Sequence, residues 1–153
     1  MTDTTFNPLG TDGFEFVEYS APDAAGVKKL KELFELLGFT EVAKHKSQEV
    51  FLYRQGDINF LINAETDGYF NEFSQQHGPC ACAMAWRVED AQKAYDYAVE
   101  QGAKPFDKEE HSAHPGVYGI GGSVLYFVDK WGKENNIYQD DFNFYDGVDE
   151  FPR

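Results

Sequence analysis

The residues best suited to metal or redox chemistry lie near the middle of the chain, in the segment QQHGPCACAMAWRVED. His77, Cys80 and Cys82 supply one imidazole and both thiols of the protein. Zinc sites use about four such ligands, and no fourth Cys or His is nearby in the sequence. A disulfide is also disfavoured, because side chains at i and i+2 of a strand point the same way and bridging them would strain the backbone. We therefore predict reduced, buried thiols on a strand, with His77 in the preceding loop.

Two further sets of residues could do chemistry, but their sequence context argues against it. His111 and His114 lie three apart in HSAHPG, and the following Pro-Gly pair is typical of a surface loop rather than a metal-binding helix. Glu15 and Glu18 are three apart on a predicted strand, so regular alternation places them on opposite faces. The glycines of GIGGS lack the Lys-Ser/Thr of a phosphate loop. We predict no catalytic residue in this chain.

The composition is typical of a folded, acidic protein. The chain has 153 residues, of which 42% are hydrophobic and 16% aromatic, enough for a packed interior. Its formal net charge of −14 disfavours nucleic acids and anionic membranes as partners, because both bind through Lys and Arg. No apolar run approaches the roughly 20 residues of a membrane span, and the polar start is not a signal peptide. We therefore expect a soluble, cytoplasmic protein.

The hydrophobic pattern changes period along the chain and then repeats. A strand is predicted over 13–21 and a helix over 23–38, with Asp23 as the N-cap and Gly38 at the helix end. Three strands follow, and after a loop at about 65–80 the same order begins again. The remaining predicted elements are strands at 40–46, 49–55, 58–64 and 81–88, a helix at 89–103, a short edge strand at 104–110, and a hairpin over 116–129 that turns at Gly121-Gly122.

These elements predict an α+β fold of two βαβββ modules, residues 13–64 and 81–129, which share one interior because a single module has too few apolar faces to be stable alone. Residues 1–12 are expected to form an N-terminal extension, 13–137 one domain, and 138–153 an acidic, aromatic tail. Two interpretations of the tail stay open: a solvated terminus, or a strand and linker that pack on another domain or subunit. The aromatic side chains concerned are Tyr138, Phe142, Phe144 and Tyr145.

Four segments carry a resemblance that covers the chain from about Asn7 to Gly147: DGFEFVEYS, GFTEVAKHKSQEVFLYRQGDIN, HGPCACAMAWRVEDAQKAYDYA and GIGGSVLYFVDKWGKENNIYQDDF. Together they resemble the N-terminal domain of bacterial 4-hydroxyphenylpyruvate dioxygenases, in the vicinal-oxygen-chelate (glyoxalase/bleomycin-resistance/dioxygenase-like) superfamily. The resemblance implies a parent enzyme that converts 4-hydroxyphenylpyruvate and O2 to homogentisate in tyrosine breakdown. It also implies that iron(II) is held by two His and one Glu of a separate C-terminal domain.

The same resemblance implies that this chain binds no metal and is inactive alone. The positions equivalent to the three iron ligands are Phe14, Ala83 and Tyr126, none of which offers an imidazole or a carboxylate. The expected role of the domain is then structural, through contacts with its own C-terminal domain and within a homo-oligomer. The corresponding domain of a hydroxymandelate synthase is an alternative, since the discriminating residues lie in the other domain.

A second hypothesis is a metal-free binding module of a different class. Its aromatic interior would accept a small phenolic ligand, although aromatic residues in a small domain are more often core. The candidate lining residues are Phe14, Phe16, Phe60, Trp86 and Tyr126, with Phe16, Phe60 and Trp86 as the proposed ligand contacts.

Overall fold

The computed structural model describes residues 6–107 and 114–153. His111 and the end of the predicted 104–110 strand lie outside these ranges. The described residues form β1 (Thr11–Ser20), α1 (Ala24–Leu36), β2 (Thr40–His45), β3 (Val50–Gln55), β4 (Ile58–Asn63), α2 (Tyr69–His77), β5 (Cys80–Val88), α3 (Ala91–Glu100), β6 (Gly116–Tyr118), β7 (Val124–Val128), α4 (Ile137–Asp141) and β8 (Phe142–Phe144).

The strands form one mixed sheet in the order β6-β7-β5-β1-β4-β3-β2-β8. The chain is divided between two halves of this sheet, which meet where β1 pairs antiparallel with β5. Within each half the first and last strands are parallel neighbours, β1 with β4 and β5 with β7. The predicted repeat of two βαβββ modules is therefore confirmed. In the second module the strand after α3 is represented, among the described residues, by a single bridge from Pro105 to Val117.

Helices α1 and α3 cover one face of the sheet, called here the outer face. Both begin as predicted, at an Asp whose carboxylate accepts a backbone N–H: Asp23 from Gly26 at 2.8 Å and Asp90 from Lys93 at 3.0 Å. The predicted end of α1 is also confirmed, because Gly38 follows it with a φ of +92° that favours glycine. Across the described part of the chain, no helix is long and apolar enough to cross a membrane.

The predicted loop at 65–80 contains helix α2, and His77 is the last helical residue rather than a loop residue. The sequence offered little signal for this helix. It begins at Gly68 without a side-chain cap, and only Phe70 and Ser74 of its nine residues are buried. A helix of nine residues whose apolar stripe consists of Tyr69, Phe70 and Phe73 is too short for a helical period to stand out in the sequence.

Residues 138–153 do not form a separate tail. After an Asn136 capping box, α4 leads into β8, which adds to the sheet by pairing antiparallel with β2. Tyr138 is 1% exposed and Phe142 is 6% exposed, both within this domain. Neither a solvated terminus nor packing on a second domain describes these two side chains. The predicted boundary at 137 therefore divides what the structure joins, while Tyr145 remains 40% exposed.

Candidate functional site

The inner face of the sheet, opposite α1 and α3, is where two such modules would enclose a ligand or a metal. Its apolar cluster draws on both halves of the sheet and on the C-terminal segment. The buried side chains used below are Phe16, Ala83, Ala85, Tyr126, Tyr138 and Phe142. The inner face is consequently filled by side chains of the chain itself.

A β-bulge near the start of β1 decides which residues reach this face. Phe14 is opposite Trp86 and Phe16 is opposite Ala85, so the extra residue Glu15 lies between two consecutive pairs. Phe14 is turned outward, is 55% exposed, and packs on Trp86 with ring centroids 4.4 Å apart. Glu15 is instead 3% exposed. The placement of Phe14 at a metal-equivalent position rests on the family resemblance, and in the structure its side chain lies beside Trp86 on the outer face.

The other two metal-equivalent residues do lie inside. Ala83 and Tyr126 are each 4% exposed and belong to the inner cluster. Neither side chain can act as the imidazole or carboxylate of an iron triad. Among residues 6–107 and 114–153, no group of three or more His, Cys, Asp or Glu is placed to hold a metal ion. The described residues therefore do not fit a two-His, one-carboxylate iron site.

The structure does not bring the candidate ligand-binding aromatics together. Phe16 and Tyr126 share the inner face, with ring centroids 6.2 Å apart. Phe60 is stacked on Phe39 at 4.5 Å in the outer-face cluster beneath α1. Trp86 belongs to the separate outer-face cluster beneath α3. Strand parity explains the separation, since neighbouring residues of one strand point to opposite faces.

His114 lies on the inner side near Phe16 and Tyr126, at centroid distances of 6.4 and 6.1 Å. Burial lowers the pKa of His114 below its ordinary value of 6.5, although the charges of Asp141 and Asp129 oppose this shift. The pKa shift favours a neutral imidazole among aromatic rings.

The two cysteines have the properties of inert thiols. Cys82 is fully buried, as predicted, and its Sγ donates to the backbone oxygen of Glu18 at 3.5 Å. Burial raises the pKa of the Cys82 thiol well above 9.0, with a further increase from the nearby Glu18 carboxylate. Cys80 is only partly buried, and its pKa is also raised by burial. Since the thiolate is the reactive form, neither environment promotes redox chemistry.

Glu15 and Glu18 do not act as a carboxylate pair. Both are buried, and the bulge interrupts the alternation from which opposite faces were predicted. Glu15 Oε2 accepts from Arg87 Nε at 2.6 Å, whereas Glu18 Oε2 is 3.4 Å from Asn63 Nδ2. Each carboxylate is committed to its own partner.

A charged cleft of about 190 Å³ lies beside the bulge, and sequence reasoning missed it. Arg54 lines the cleft and is 2% exposed. Its Nε donates a hydrogen bond to Asn59 Oδ1 at 2.7 Å, and its Nη1 donates one to the backbone oxygen of Glu150 at 2.6 Å. A signal was present in the strand, because Arg54 lies on the same face as Val50 and Leu52, two apolar residues that are buried. The side chains of the charged cleft discussed below are Glu15, Arg54, Arg87, Trp131, Lys133 and Phe151.

Aromatic rings surround the Arg54 guanidinium. Its central carbon is 5.0, 5.6 and 4.6 Å from the ring centroids of Tyr138, Phe144 and Phe151. The Tyr138 hydroxyl donates to the backbone oxygen of Glu15 at 3.2 Å, and burial raises its pKa well above 10.0, so it remains a phenol. Burial lowers the pKa of Arg54 despite opposing effects from Tyr138 and Glu15.

Two βαβββ modules joined through β1 and β5 define the vicinal-oxygen-chelate, or glyoxalase-like, fold. Residues 6–143 match the family described as hydroxyphenylpyruvate dioxygenase, N-terminal, and the chain belongs to that family.

The similar proteins agree with this family and are longer than this chain. The chain is 56% identical over 143 residues to hemolysin VllY of Vibrio vulnificus, and 51% identical over 144 residues to a 4-hydroxyphenylpyruvate dioxygenase of Pseudomonas aeruginosa. Each match covers 92% of this chain and 40% of the relative. A solved xylose isomerase-like TIM barrel/4-hydroxyphenylpyruvate dioxygenase fusion protein superposes with a TM-score of 0.81 at 36% identity, over 95% of this chain and 24% of that one. The chain thus spans about 40% of the length of its two curated relatives.

Proposed function

We propose that this chain acts as the N-terminal, non-catalytic domain of a cytoplasmic, iron(II)-dependent 4-hydroxyphenylpyruvate dioxygenase. The parent reaction would convert 4-hydroxyphenylpyruvate and O2 to homogentisate and CO2. The iron and its three ligands would belong to a following C-terminal domain. The family match and the 40% coverage of a 4-hydroxyphenylpyruvate dioxygenase support this division of labour.

The observation that carries the proposal is the occupied inner face. Tyr138 and Phe142, from the chain's own C-terminal segment, are 1% and 6% exposed and pack into the cluster that contains Phe16 and Tyr126. A catalytic module of this fold needs that space for metal and substrate. Here the space contributes apolar packing instead, which stabilises the domain.

The same segment gives the domain a means of positioning its neighbour. β8 pairs with β2, and further along, the backbone N–H of Gly56 donates to the oxygen of Pro152. The chain therefore leaves the domain from a defined place, held by strand pairing and by Arg54. A C-terminal domain that followed would begin with a fixed orientation rather than on a flexible linker.

Oligomer contacts would form at the end of α1. Leu33, Leu36 and Leu37 are 47%, 84% and 56% exposed, an apolar patch on an otherwise strongly acidic protein. Exposed apolar patches of this kind are common at protein interfaces. We include a homo-oligomer in the proposal on this basis.

The test is turnover by the purified chain, compared with a full-length relative prepared in the same way. With iron(II), ascorbate and 4-hydroxyphenylpyruvate, the 153-residue chain should form no homogentisate, while the full-length enzyme does. Circular dichroism would first show that the isolated chain is folded. Homogentisate formation by the chain at an enzymatic rate would contradict the proposal. If 4-hydroxymandelate is the product once this domain is joined to its own C-terminal partner, the parent is instead a hydroxymandelate synthase.

A further inference from the structure

The charged cleft contains a buried cation, Arg54, that forms no direct ion pair. Among the described residues, no Asp or Glu oxygen forms an ion pair with Arg54, and the two hydrogen bonds of its guanidinium go to neutral oxygens. The carboxylate of Glu15 is bound instead to Arg87. A charge removed from water without a directly bonded counter-charge is unfavourable, and the more distant charges of Glu15, Glu150 and Asp57, together with the surrounding aromatic rings, offset part of that cost.

The charge around the cleft is the opposite of the charge of the whole protein. Three cationic side chains, Arg54, Arg87 and Lys133, line it, against the two anionic side chains of Glu15 and Asp57. The chain as a whole carries a formal net charge of −14. A small cationic excess in the lining favours an anion at the cleft, although the charge of Glu150 also acts on Arg54.

The walls of the cleft are aromatic and held in position. The indole Nε1 of Trp131 donates to the Val88 backbone oxygen at 3.1 Å, and the Arg87 guanidinium lies 5.4 Å from the Trp131 ring. Phe151 lines the same space. The cleft has a volume of about 190 Å³. Such a space suits a small organic molecule with one charged end.

We propose that the charged cleft binds a small organic carboxylate. Its oxygens would accept hydrogen bonds from Arg54 and Arg87, because planar guanidinium groups match the geometry of carboxylates. Its apolar part would lie against Trp131 and Phe151. This site goes beyond the proposed structural role of the domain and does not depend on it. It also lies apart from Ala83 and Tyr126, the two metal-equivalent positions that face the interior.

Binding can be tested on the 153-residue chain with sodium benzoate as the probe and sodium chloride at equal ionic strength as the control. In ¹H–¹⁵N spectra, benzoate should shift the indole resonance of Trp131 in a saturable way. The resonance of the other tryptophan, Trp86, should not move, because Trp86 lies on the outer face. Inorganic phosphate should bind at least tenfold more weakly, since it lacks an apolar part.

Three variants locate the site. Arg54→Lys keeps the positive charge but loses the planar guanidinium group, and it should lower the affinity for benzoate at least tenfold. Lys133→Met changes an exposed residue at the edge of the cleft and should weaken binding severalfold without affecting the fold. Lys93→Met removes an exposed lysine from α3 and should change nothing. If Arg54→Lys does not fold, Lys133→Met alone decides the outcome.

The proposal is overturned if benzoate shifts neither indole in a saturable way, or if both tryptophans respond alike. Equal affinity for phosphate would overturn the carboxylate assignment. Unchanged affinity in a folded Lys133→Met variant would place the ligand elsewhere. None of these results bears on homogentisate formation, so the failure of this inference is distinguishable from the failure of the proposed function.

Discussion

The two outer helices occupy equivalent places in the two modules but pack in different ways. Under α1, Phe34 is 2% exposed and contacts four other rings, those of Tyr19, Phe39, Tyr53 and Phe60. Under α3, the buried helical residues are Ala91 and Ala94, which pack against Val88, Val117 and Phe127. One module fills the space between helix and sheet with interlocking rings. The other relies on small helical side chains that let the helix approach the sheet closely.

The comparison shows that a repeated topology does not require a repeated core. Each module needs only a helical stripe that complements its own half of the sheet. The inner face differs as well, since the first module contributes the buried Arg54 beside apolar residues such as Phe16 and Leu52, while the second contributes Ala83, Ala85 and Tyr126. The following predictions test this asymmetry, beginning with the largest expected effect.

Removing the central ring under α1 should have the largest effect. Phe34→Ala leaves a cavity among four aromatic neighbours, and we expect it to lower the free energy of unfolding by about 3–5 kcal/mol. Urea denaturation followed by circular dichroism would measure this. Phe34→Leu is the matched control and should cost clearly less. An equal loss in both variants would mean that the ring contacts are not what stabilises α1.

The ion pair at the junction of the modules should have the next largest effect. Arg87 of β5 neutralises Glu15 of β1, whose side chain is almost fully buried. Arg87→Met would leave the carboxylate without its counter-charge and should cost about 3 kcal/mol.

The matched control for Arg87→Met is the double variant Arg87→Met/Glu15→Gln, which removes both charges and should recover part of the loss. A double-mutant cycle in urea gives the coupling energy directly. Additive effects of the two substitutions would show that the pair contributes no specific coupling.

Enlarging a small residue under α3 should destabilise the second module to a lesser degree. Ala94 is 1% exposed, and Ala94→Leu would force α3 away from the sheet at a cost of about 1–3 kcal/mol. The control is Lys93→Leu on the exposed side of the same helix, which should be nearly neutral. If Ala94→Leu were also neutral, α3 would not depend on close approach.

The N-caps of α1 and α3 should contribute equally to the free energy of unfolding, although the cores beneath the two helices differ. Asp23→Ala and Asp90→Ala each remove one carboxylate that accepts a backbone N–H, and each should cost about 1 kcal/mol. Thermal unfolding of the two variants side by side would compare them. A much larger loss at either position would show that its carboxylate does more than cap a helix.

The free energy of unfolding should depend on pH through one histidine of each module among the described residues. This effect should be smaller than those of the substitutions above. Burial lowers the pKa of both His45 and His114 below their ordinary value of 6.5. Between the folded and unfolded pKa values the unfolded chain binds more protons, so the histidine contribution to stability is present above about pH 6.5 and declines as the pH falls. The geometry at His45 agrees, because its Nδ1 accepts the backbone N–H groups of Ser47 and Gln48 and an imidazolium could not.

His45→Gln and His114→Gln should each flatten the stability profile between pH 7 and 5, relative to the unsubstituted protein. Urea denaturation at several pH values would measure the slopes. A profile that is steeper in either variant would contradict the sign of that shift. Lys93→Met, which removes no histidine, should leave the slope unchanged.

Several features of the fold could be predicted because they depend on local chemistry. The alternation and helical spacing of apolar residues placed β1 to β5, α1 and α3 within about three residues at each end. Asp23 and Gly38 marked the ends of α1 because the capping interaction and the positive φ are properties of single positions. Helix α2 was missed because it is short, uncapped and mostly polar.

The candidate site was much less predictable, because it depends on pairing between distant segments. One inserted residue in β1 turns Phe14 outward and Glu15 inward, and the local signal for it, Gly13 with a φ of +91°, does not specify which way the next side chains point. Arg54 is buried only because Tyr138, Phe144 and Phe151 fold back over it from the other end of the chain. Sequence spacing carries no information about contacts of that separation.

The sequence alone was therefore sufficient for the family and for the two-module topology. Both depend on residue identity and on short-range periodicity, which can be determined from the sequence without the structure. The tertiary structure decided that the C-terminal segment fills the inner face and that a charged cleft forms beside β1. Both features arise from long-range packing, in which the position of each side chain depends on the residues that fold against it.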